Sequence, residues 1–292
     1  MSLGSDEAQG GLAPGLYVVS TPIGNLADMT HRAVETLKAV DLIACEDTRH
    51  TQQLLNHYSI TTTTLSYHEH NELTRAPELV LQLEEGSHIA LVSDAGMPVI
   101  SDPGYRLVQL AIRHNIPVVP IPGASALVAA LSAAGLPVDK FRFLGFLPAK
   151  KSQRRKAIEE LRGTHKTLVV YEAPHRLLDM LADMKDILGD PPVVVAREVT
   201  KVHEEFCRGT ASEVIARFKK KPVKGEITVL VAPQLATRAV AEERNTIREE
   251  VTRLMSAEGL DERAALKLVA RTRGVPRSDA YRQMQGEKNS EK

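Results

Sequence analysis

The run HIALVSDAGMPVISDPG, from His88 to Gly104, decides how the chain is read. A short strand of buried character, His88–Val92, ends in two Gly/Pro-rich turns, Ser93-Asp94-Ala95-Gly96-Met97-Pro98 and Ser101-Asp102-Pro103-Gly104. A loop so built is stiff and rich in exposed amides, and it sits at a strand's carboxyl end. Asp followed by Pro is a helix-start signal, so a helix is expected from Asp102-Pro103 to the next strand, Pro117–Ile121. Toward the N-terminus the same alternation repeats. Leu16–Thr21, Leu42–Cys45 and Thr62–Tyr67 read as strands, and His31–Val40, Thr51–His57 and Glu72–Glu85 as helices, the last with Leu73, Leu79, Leu81 and Leu83 apolar. Such alternation predicts βαβ units with right-handed crossovers and a mainly parallel sheet, whose ligands bind beyond the carboxyl ends of the strands.

Downstream the character changes. Ala133–Pro148 carries Gly135, Pro137, Gly145, Pro148 and three of the five phenylalanines, and reads as a connector between an N-terminal α/β domain (15–132) and a second one (149–233). In that second domain Thr167–Tyr171, Pro192–Ala196 and Glu226–Val231 read as strands and Arg154–Leu161, Arg176–Leu188 and Ala211–Phe218 as helices, which predicts a mixed sheet. After Pro233 the strand signal disappears. Ala239–Glu258, Glu262–Arg271 and Arg277–Met284 read as the three helices of a tail (234–292), either a helix-turn-helix or a dimerisation or capping bundle. Residues 1–14, Gly-rich and acidic, read as a disordered leader without the pattern of a signal peptide.

The composition, 292 residues with 43% hydrophobic and 25% charged, is that of a globular protein. No apolar run approaches the roughly 18 residues of a membrane span. Two cysteines, Cys45 and Cys207, make no disulfide framework and no metal-ligand spacing, so a cytoplasmic, metal-free protein is expected. Lys+Arg and Asp+Glu balance at 37 each, unlike a chain that lives on phosphate contacts alone. Basic residues cluster locally at Lys150, Lys151, Arg154, Arg155, Lys156, Arg162 and Lys166, and again at Lys219, Lys220, Lys221 and Lys224. These are either solvated faces or a patch that docks an anionic polymer.

Chemistry concentrates at the strand ends. Thr21-Pro22-Ile23-Gly24-Asn25-Leu26 is a tight loop but no G-x-G-x-x-G, so a dinucleotide site is not supported. Asp94 is placed to accept hydrogen bonds from ribose hydroxyls or an amino group, and Pro122-Gly123-Ala124-Ser125-Ala126 opens a helix whose free N–H groups suit an anionic group. Three such loops at one sheet edge point to a nucleotide-like ligand. Glu46-Asp47-Thr48-Arg49 offers a general base or a substrate contact, or equally an N-cap with an Arg ion pair. His68 and His70, near Glu72, lack a third well-placed metal ligand. Neither a Gly-x-Ser-x-Gly elbow nor a phosphate loop is present, which removes support for acyl hydrolysis and P-loop chemistry.

Taken together, Ser20–Asp28 (STPIGNLAD), Ala44–Arg49 (ACEDTR), Ser93–Pro98, Ser101–Gly104 and Tyr171-Glu172 with His175-Arg176-Leu177 resemble the ribosomal RNA methyltransferases of the tetrapyrrole methylase-like superfamily. The resemblance runs from Gly15 to Pro233, and the helical tail matches as well. It implies two α/β domains with a cleft between them, S-adenosyl-L-methionine as cofactor, and 2′-O-methylation of a cytidine ribose in 16S rRNA near the decoding centre. The partners it implies are that RNA or the assembled small ribosomal subunit, and a second copy of the chain in a homodimer. Carried over residue by residue, Pro22, Gly24, Asn25, Ser93, Asp94, Ala95, Gly96, Ser125 and Ala126 would meet the cofactor, with Tyr171, Ala196, Gly225 and Glu226 closing over it. Met97 and Ala124 stand where the family commonly has Thr and Pro. Transfer to a ribose oxygen needs alignment and removal of a poorly acidic proton. Glu46, Asp47, His68 and Glu72 are the candidates for that work, with Arg49, Lys150, Lys151, Arg154 and Arg155 toward the RNA phosphates. The alternatives are a small-molecule methylase of the tetrapyrrole type and a ligand-sensing nucleic-acid-binding regulator.

Overall fold

A computed structural model describes residues 12–220, 223–234, 247–273 and 275–289. Most of the expected leader, Lys221 and the first part of the expected helix Ala239–Glu258 lie outside these. The described chain forms two compact units that divide after Gln234.

The first unit holds two five-stranded sheets. One contains β1 (Gly15–Val19), β2 (Leu42–Cys45), β3 (Thr64–Ser66), β4 (His88–Val92) and β5 (Val118–Ile121), in the order β3-β2-β4-β1-β5 and all parallel. Four helices cover it: α1 (His31–Ala39), α2 (Thr48–His57), α3 (Glu72–Glu84) and α4 (Tyr105–Arg113). Alternate residues of β1 divide between the two faces. Leu16 packs with Leu79, Leu83 and Leu107 of α3 and α4, while Tyr17 and Val19 pack with Leu37 and Leu55 of α1 and α2. Being covered on both faces, the strands need continuous apolar runs, and they have them. In α3 the buried positions are Ala76, Leu79, Val80 and Leu83; Leu73 and Leu81, expected on the apolar face, are exposed. Leu81 falls on the far side of the helical period from Leu79 and Leu83, whereas Leu73 shares the stripe of Val80 but belongs to the first turn of the helix.

The second sheet has β6 (Phe141–Phe146), β7 (Thr167–Glu172), β8 (Pro192–Arg197), β9 (Glu205–Thr210) and β10 (Ile227–Val231), in the order β6-β7-β10-β8-β9. Only β6 and β7 run parallel, so the sheet is mixed as its sequence suggested. The segment read as a connector therefore supplies an edge strand, β6. One face carries α6 (Lys151–Glu159), α7 (Leu177–Leu188) and α8 (Ala211–Phe218) on Leu168, Val170, Val193, Val195, Val229 and Val231. The other face, Val169, Val194, Ala196 and Leu230, is covered by Ala130, Leu131 and Ala134 of α5 (Ala126–Ala134). Helix α5 thus starts from a loop of the first sheet and buries itself on the second. It has no polar face to give to solvent, and so it joins the two halves.

In the second unit the described residues form three helices, α9 (Ile247–Glu258), α10 (Glu262–Thr272) and α11 (Arg277–Asn289), around Val251, Leu266, Val269, Ala280 and Met284. Asp261 caps α10 by accepting from the Ala264 N–H at 2.7 Å.

Candidate active site

Because the first sheet is parallel, the loops after β1, β4 and β5 emerge at one edge, and hydrogen bonds knit them together. Thr21 and Gly96 exchange backbone bonds of 2.9 and 3.0 Å. Thr21 Oγ1 donates to the Ser93 carbonyl at 3.2 Å, and Ser20 Oγ donates to the Ala124 carbonyl at 2.7 Å. The Ser20–Ala124 bond needs only the backbone carbonyl of Ala124. Ser125 caps α5 by accepting from the Val128 N–H at 3.5 Å.

Facing these loops, the ends of β6, β7 and β10 complete a cavity of about 410 Å³. Of the residues expected at the cofactor, Ala95, Gly96, Ser125, Ala126, Tyr171, Gly225 and Glu226 line it. Pro22, Gly24, Asn25, Ser93 and Asp94 are not in its wall, and Ala196 is a correction. Ala196 is fully buried under α5, with its side chain spent on the sheet core. The wall also contains Ile23, Met97, Ile100, Ser101, Asp102, Phe146, Glu172, Ala173, Pro174, Ile227 and Thr228, which the motifs did not single out as contacts. Phe146 gets there through an irregularity in the β6–β7 pairing after Phe143, and both rings meet Tyr171 edge-on, at 5.8 and 4.9 Å between centroids.

Asp102 is the second correction. It does not cap a helix: α4 begins three residues later, at Tyr105, with Gly104 as its N-cap residue and no side-chain cap. The chain just before Asp102 passes through left-handed conformations at Val99 (φ 76°) and Ser101 (φ 67°). For a β-branched residue this costs about 1–3 kcal/mol, and it turns Asp102 into the cavity wall. Burial, reinforced by the carboxylates of Glu46 and Asp94, pushes the Asp102 carboxyl up to about 6. Burial, then Asp94, also raises Glu46.

The other candidate bases are placed differently. Asp47 caps α2 and binds its own neighbour: the Arg49 backbone N–H donates at 2.8 Å and the guanidinium at 3.0 Å. Those bonds hold Asp47 down to about 2. His68 Nδ1 is buried and without a hydrogen-bond partner among the described residues. Glu72 opens α3, 3.7 Å from Arg106. None of the four lines the cavity. Within it, Glu172 has a fully buried side chain; Oε1 accepts from the Ala173 N–H at 2.8 Å, and Oε2 has no partner among the described residues.

The basic cluster divides in two. Lys150 and Lys151 are exposed where α6 begins. Arg154 is buried, and its Nε and Nη2 both lie 2.8 Å from Asp183 of α7, so it is unable to meet a phosphate. Arg155 donates to Asp183 at 2.7 Å and to Asp186 at 3.3 Å. Apolar periodicity did not reveal this ion pair, because Asp183 is the one charged residue on the buried face of α7.

Known proteins now place the chain. A profile described as Tetrapyrrole (Corrin/Porphyrin) Methylases matches residues 15–215, and the chain belongs to that family of S-adenosylmethionine-dependent methyltransferases. Among solved structures, uroporphyrin-III-C-methyltransferase from Thermus thermophilus superposes with a TM-score of 0.54 at 17% identity, over 78% of this chain and 98% of that one. For the methyltransferase CobJ the values are 0.57, 18%, 77% and 95%. At such identity these two speak for the fold alone. The nearer kinship lies elsewhere in the family. "Ribosomal RNA small subunit methyltransferase I" of Halalkalibacterium halodurans is 50% identical over 269 residues, 91% of this chain and 93% of that protein. The protein of the same name from Escherichia coli O157:H7 is 45% identical over 281 residues, 95% and 96% of the two. The chain is a member of their group. Its cavity fits the methyl donor. Small residues (Ala95, Gly96, Ala126, Gly225) leave backbone open to a nucleoside, and Ile23, Ile100 and Phe146 offer apolar faces; of the three acidic residues in the wall, Glu172 is paired with Arg176 at 3.1 Å and Glu226 with Lys201 at 3.4 Å, which leaves Asp102 toward a ligand bearing a sulfonium.

Proposed function

We propose that the chain methylates the 2′-hydroxyl of a cytidine ribose in 16S rRNA, near the decoding centre, and that Asp102 takes the hydroxyl proton. What carries the substrate assignment is the kinship, across nine-tenths of the chain, with proteins named for the RNA of the small subunit. Support for Asp102 comes from its place in the cavity wall and a carboxyl raised to about 6, closer to the operating pH than an ordinary aspartate. When bound, S-adenosylmethionine supplies an electrophilic methyl on a good leaving group. The chain's own work is to hold the ribose oxygen in line and to accept its proton at an Asp102 oxygen. Glu46 and Asp94 keep that carboxylate basic by repulsion, and His68 borders the same acidic group.

In this reading Ala95, Gly96, Ser125, Ala126, Tyr171, Gly225 and Glu226 hold the cofactor. Pro22, Gly24, Asn25, Ser93 and Asp94 support them from behind. Lys150, Lys151 and Arg49, all exposed, meet RNA phosphates. The chain acts as a homodimer, a reading supported by exposed Val128 on α5 and Phe141 on the edge strand β6; sedimentation as a monomer at working concentration would remove it. The test of the function is methyl transfer from labelled S-adenosylmethionine to small subunits lacking this modification, followed by mapping of the label. Label on a cytidine ribose oxygen is the expected result. Cofactor binding without RNA labelling would move a small-molecule acceptor to the front.

A further inference from the structure

Two glycines in the first unit each have the place of a side chain taken by one member of a single ion pair. A Cβ on Gly24 would stand 2.4 Å from Lys201 Cγ and 2.5 Å from its Cε; one on Gly225 would stand 2.3 Å from Glu198 Cδ. Both glycines are at positive φ, +147° and +88°. Gly24 belongs to the loop after β1, on the first sheet, and Gly225 leads into β10, on the second. Glu198 and Lys201 come from the loop after β8, which is folded back by left-handed Glu198 (φ 51°) and Thr200 (φ 71°). Lys201 Nζ lies 3.0 Å from Glu198 Oε1 and 3.4 Å from Glu226 Oε1. Glu198 Oε1 also accepts the Glu226 N–H at 2.9 Å, and the Glu198 N–H donates to the Glu226 carbonyl at 2.9 Å. Ile23, next to Gly24, and Gly225 and Glu226 themselves line the cavity. The pair therefore backs both walls at once.

We infer that Lys201 is a positioning residue, a latch that lays its methylene chain over Gly24 while Glu198 and Glu226 anchor its ammonium, so that the loop after β1 is held against the second sheet and the cofactor cavity keeps its width. The latch's ion pair is only partly buried, with side chains 27% and 19% exposed, so water and salt compete for it. It deepens the methyltransferase reading and rests on the cofactor cavity, not on the identity of the RNA.

The test uses Lys201→Met, which keeps the methylene packing and removes the charge, and Glu198→Gln, which removes the anchor's charge with little change of shape. In ligand-free protein, hydrogen exchange at the amides of residues 24–28 should quicken roughly tenfold in both variants while that of β1 stays unchanged. Calorimetry should show the Kd for S-adenosylmethionine rising about tenfold. Single-turnover methyl transfer at saturating cofactor should stay within about twofold, because chemistry is not what the latch does. Unchanged exchange and affinity in either folded variant would overturn the proposal, and so would a loss of single-turnover rate at unchanged Kd. Exchange and affinity are read without RNA, so a wild-type protein that binds cofactor but labels no RNA would sink the substrate assignment and leave the latch standing.

Discussion

Burial and two neighbouring carboxylates lift Asp102 from an ordinary 3.8 to about 6, so the folded chain keeps a proton there that the unfolded chain has already released. Between those values the folded state binds more protons, and stability therefore falls as pH rises through the window and stays lower above it. The full shift corresponds to about 3 kcal/mol, and solvent access at this half-open position reduces that to about 1 kcal/mol. Asp102→Asn should accordingly melt a few degrees higher than the wild type at pH 8, with no difference at pH 4, in calorimetric scans at the two pH values. The same substitution should cut single-turnover methylation at least about a hundredfold, because it removes the proposed proton acceptor. A variant that is as unstable as the wild type at pH 8, or one that still turns over, would remove Asp102 from its role. Asp47, held at about 2 by Arg49, is a poor base, and Asp47→Ala should leave the single-turnover rate within a few-fold. At this scale the sequence made Ser101-Asp102-Pro103-Gly104 visible but misassigned its purpose. Asp before Pro is as good a helix start as the chain offers, and only the left-handed Val99 and Ser101, invisible in composition, turn the carboxylate inward.

Among the elements, α6 and α7 are held by a buried ion pair instead of by apolar contact alone. Removing one partner leaves the other charged and buried, which costs about 3–5 kcal/mol in the general case. Here Arg155 also reaches Asp183 and still compensates it in part, so Arg154→Met should destabilise by the low end of that range, about 3 kcal/mol in urea titrations. It should not alter the salt dependence of binding to the small subunit, whereas Lys150→Ala and Lys151→Ala should each flatten the logarithmic slope by about one. Elements with a buried apolar run were legible in the sequence: β1, β2, β4 and α1 fall within a residue or two of where those runs place them. The misses have a common cause. β9 (EFCRGT) is an edge strand pairing on one side only and buries little beyond Cys207, so it carries no hydrophobic alternation. β6 is likewise an edge strand, interrupted by Gly145.

At the scale of the molecule, every residue lining the cavity precedes Gln234. A fragment ending at Gln234 should therefore fold and bind S-adenosylmethionine with the affinity of the whole chain, within about twofold by calorimetry. A fragment that loses the cofactor would assign the tail a part in forming the site. The motifs found one side of this cavity more readily than the other. The loops after β1, β4 and β5 announce themselves through Gly, Pro and small residues, because parallel strands deliver their ends to one edge. From β6, β7 and β10 come Phe146, Glu172 and Ile227, ordinary strand residues whose role depends on how a mixed sheet faces the first.

The strand orders also say something about how such a chain is made. In each sheet a late strand is wedged between earlier ones: β4 sits between β2 and β1, and β10 between β7 and β8. A nascent chain leaves the tunnel from its N-terminus. Strands β7 and β8 thus wait beside an empty slot, each with a row of unpaired amides and carbonyls, until β10 has been synthesised. Exposed edges of that kind invite pairing with another chain. The second half of the molecule is consequently at its most vulnerable to aggregation in the interval between β8 and β10, and a chaperone that shields strand edges would act there.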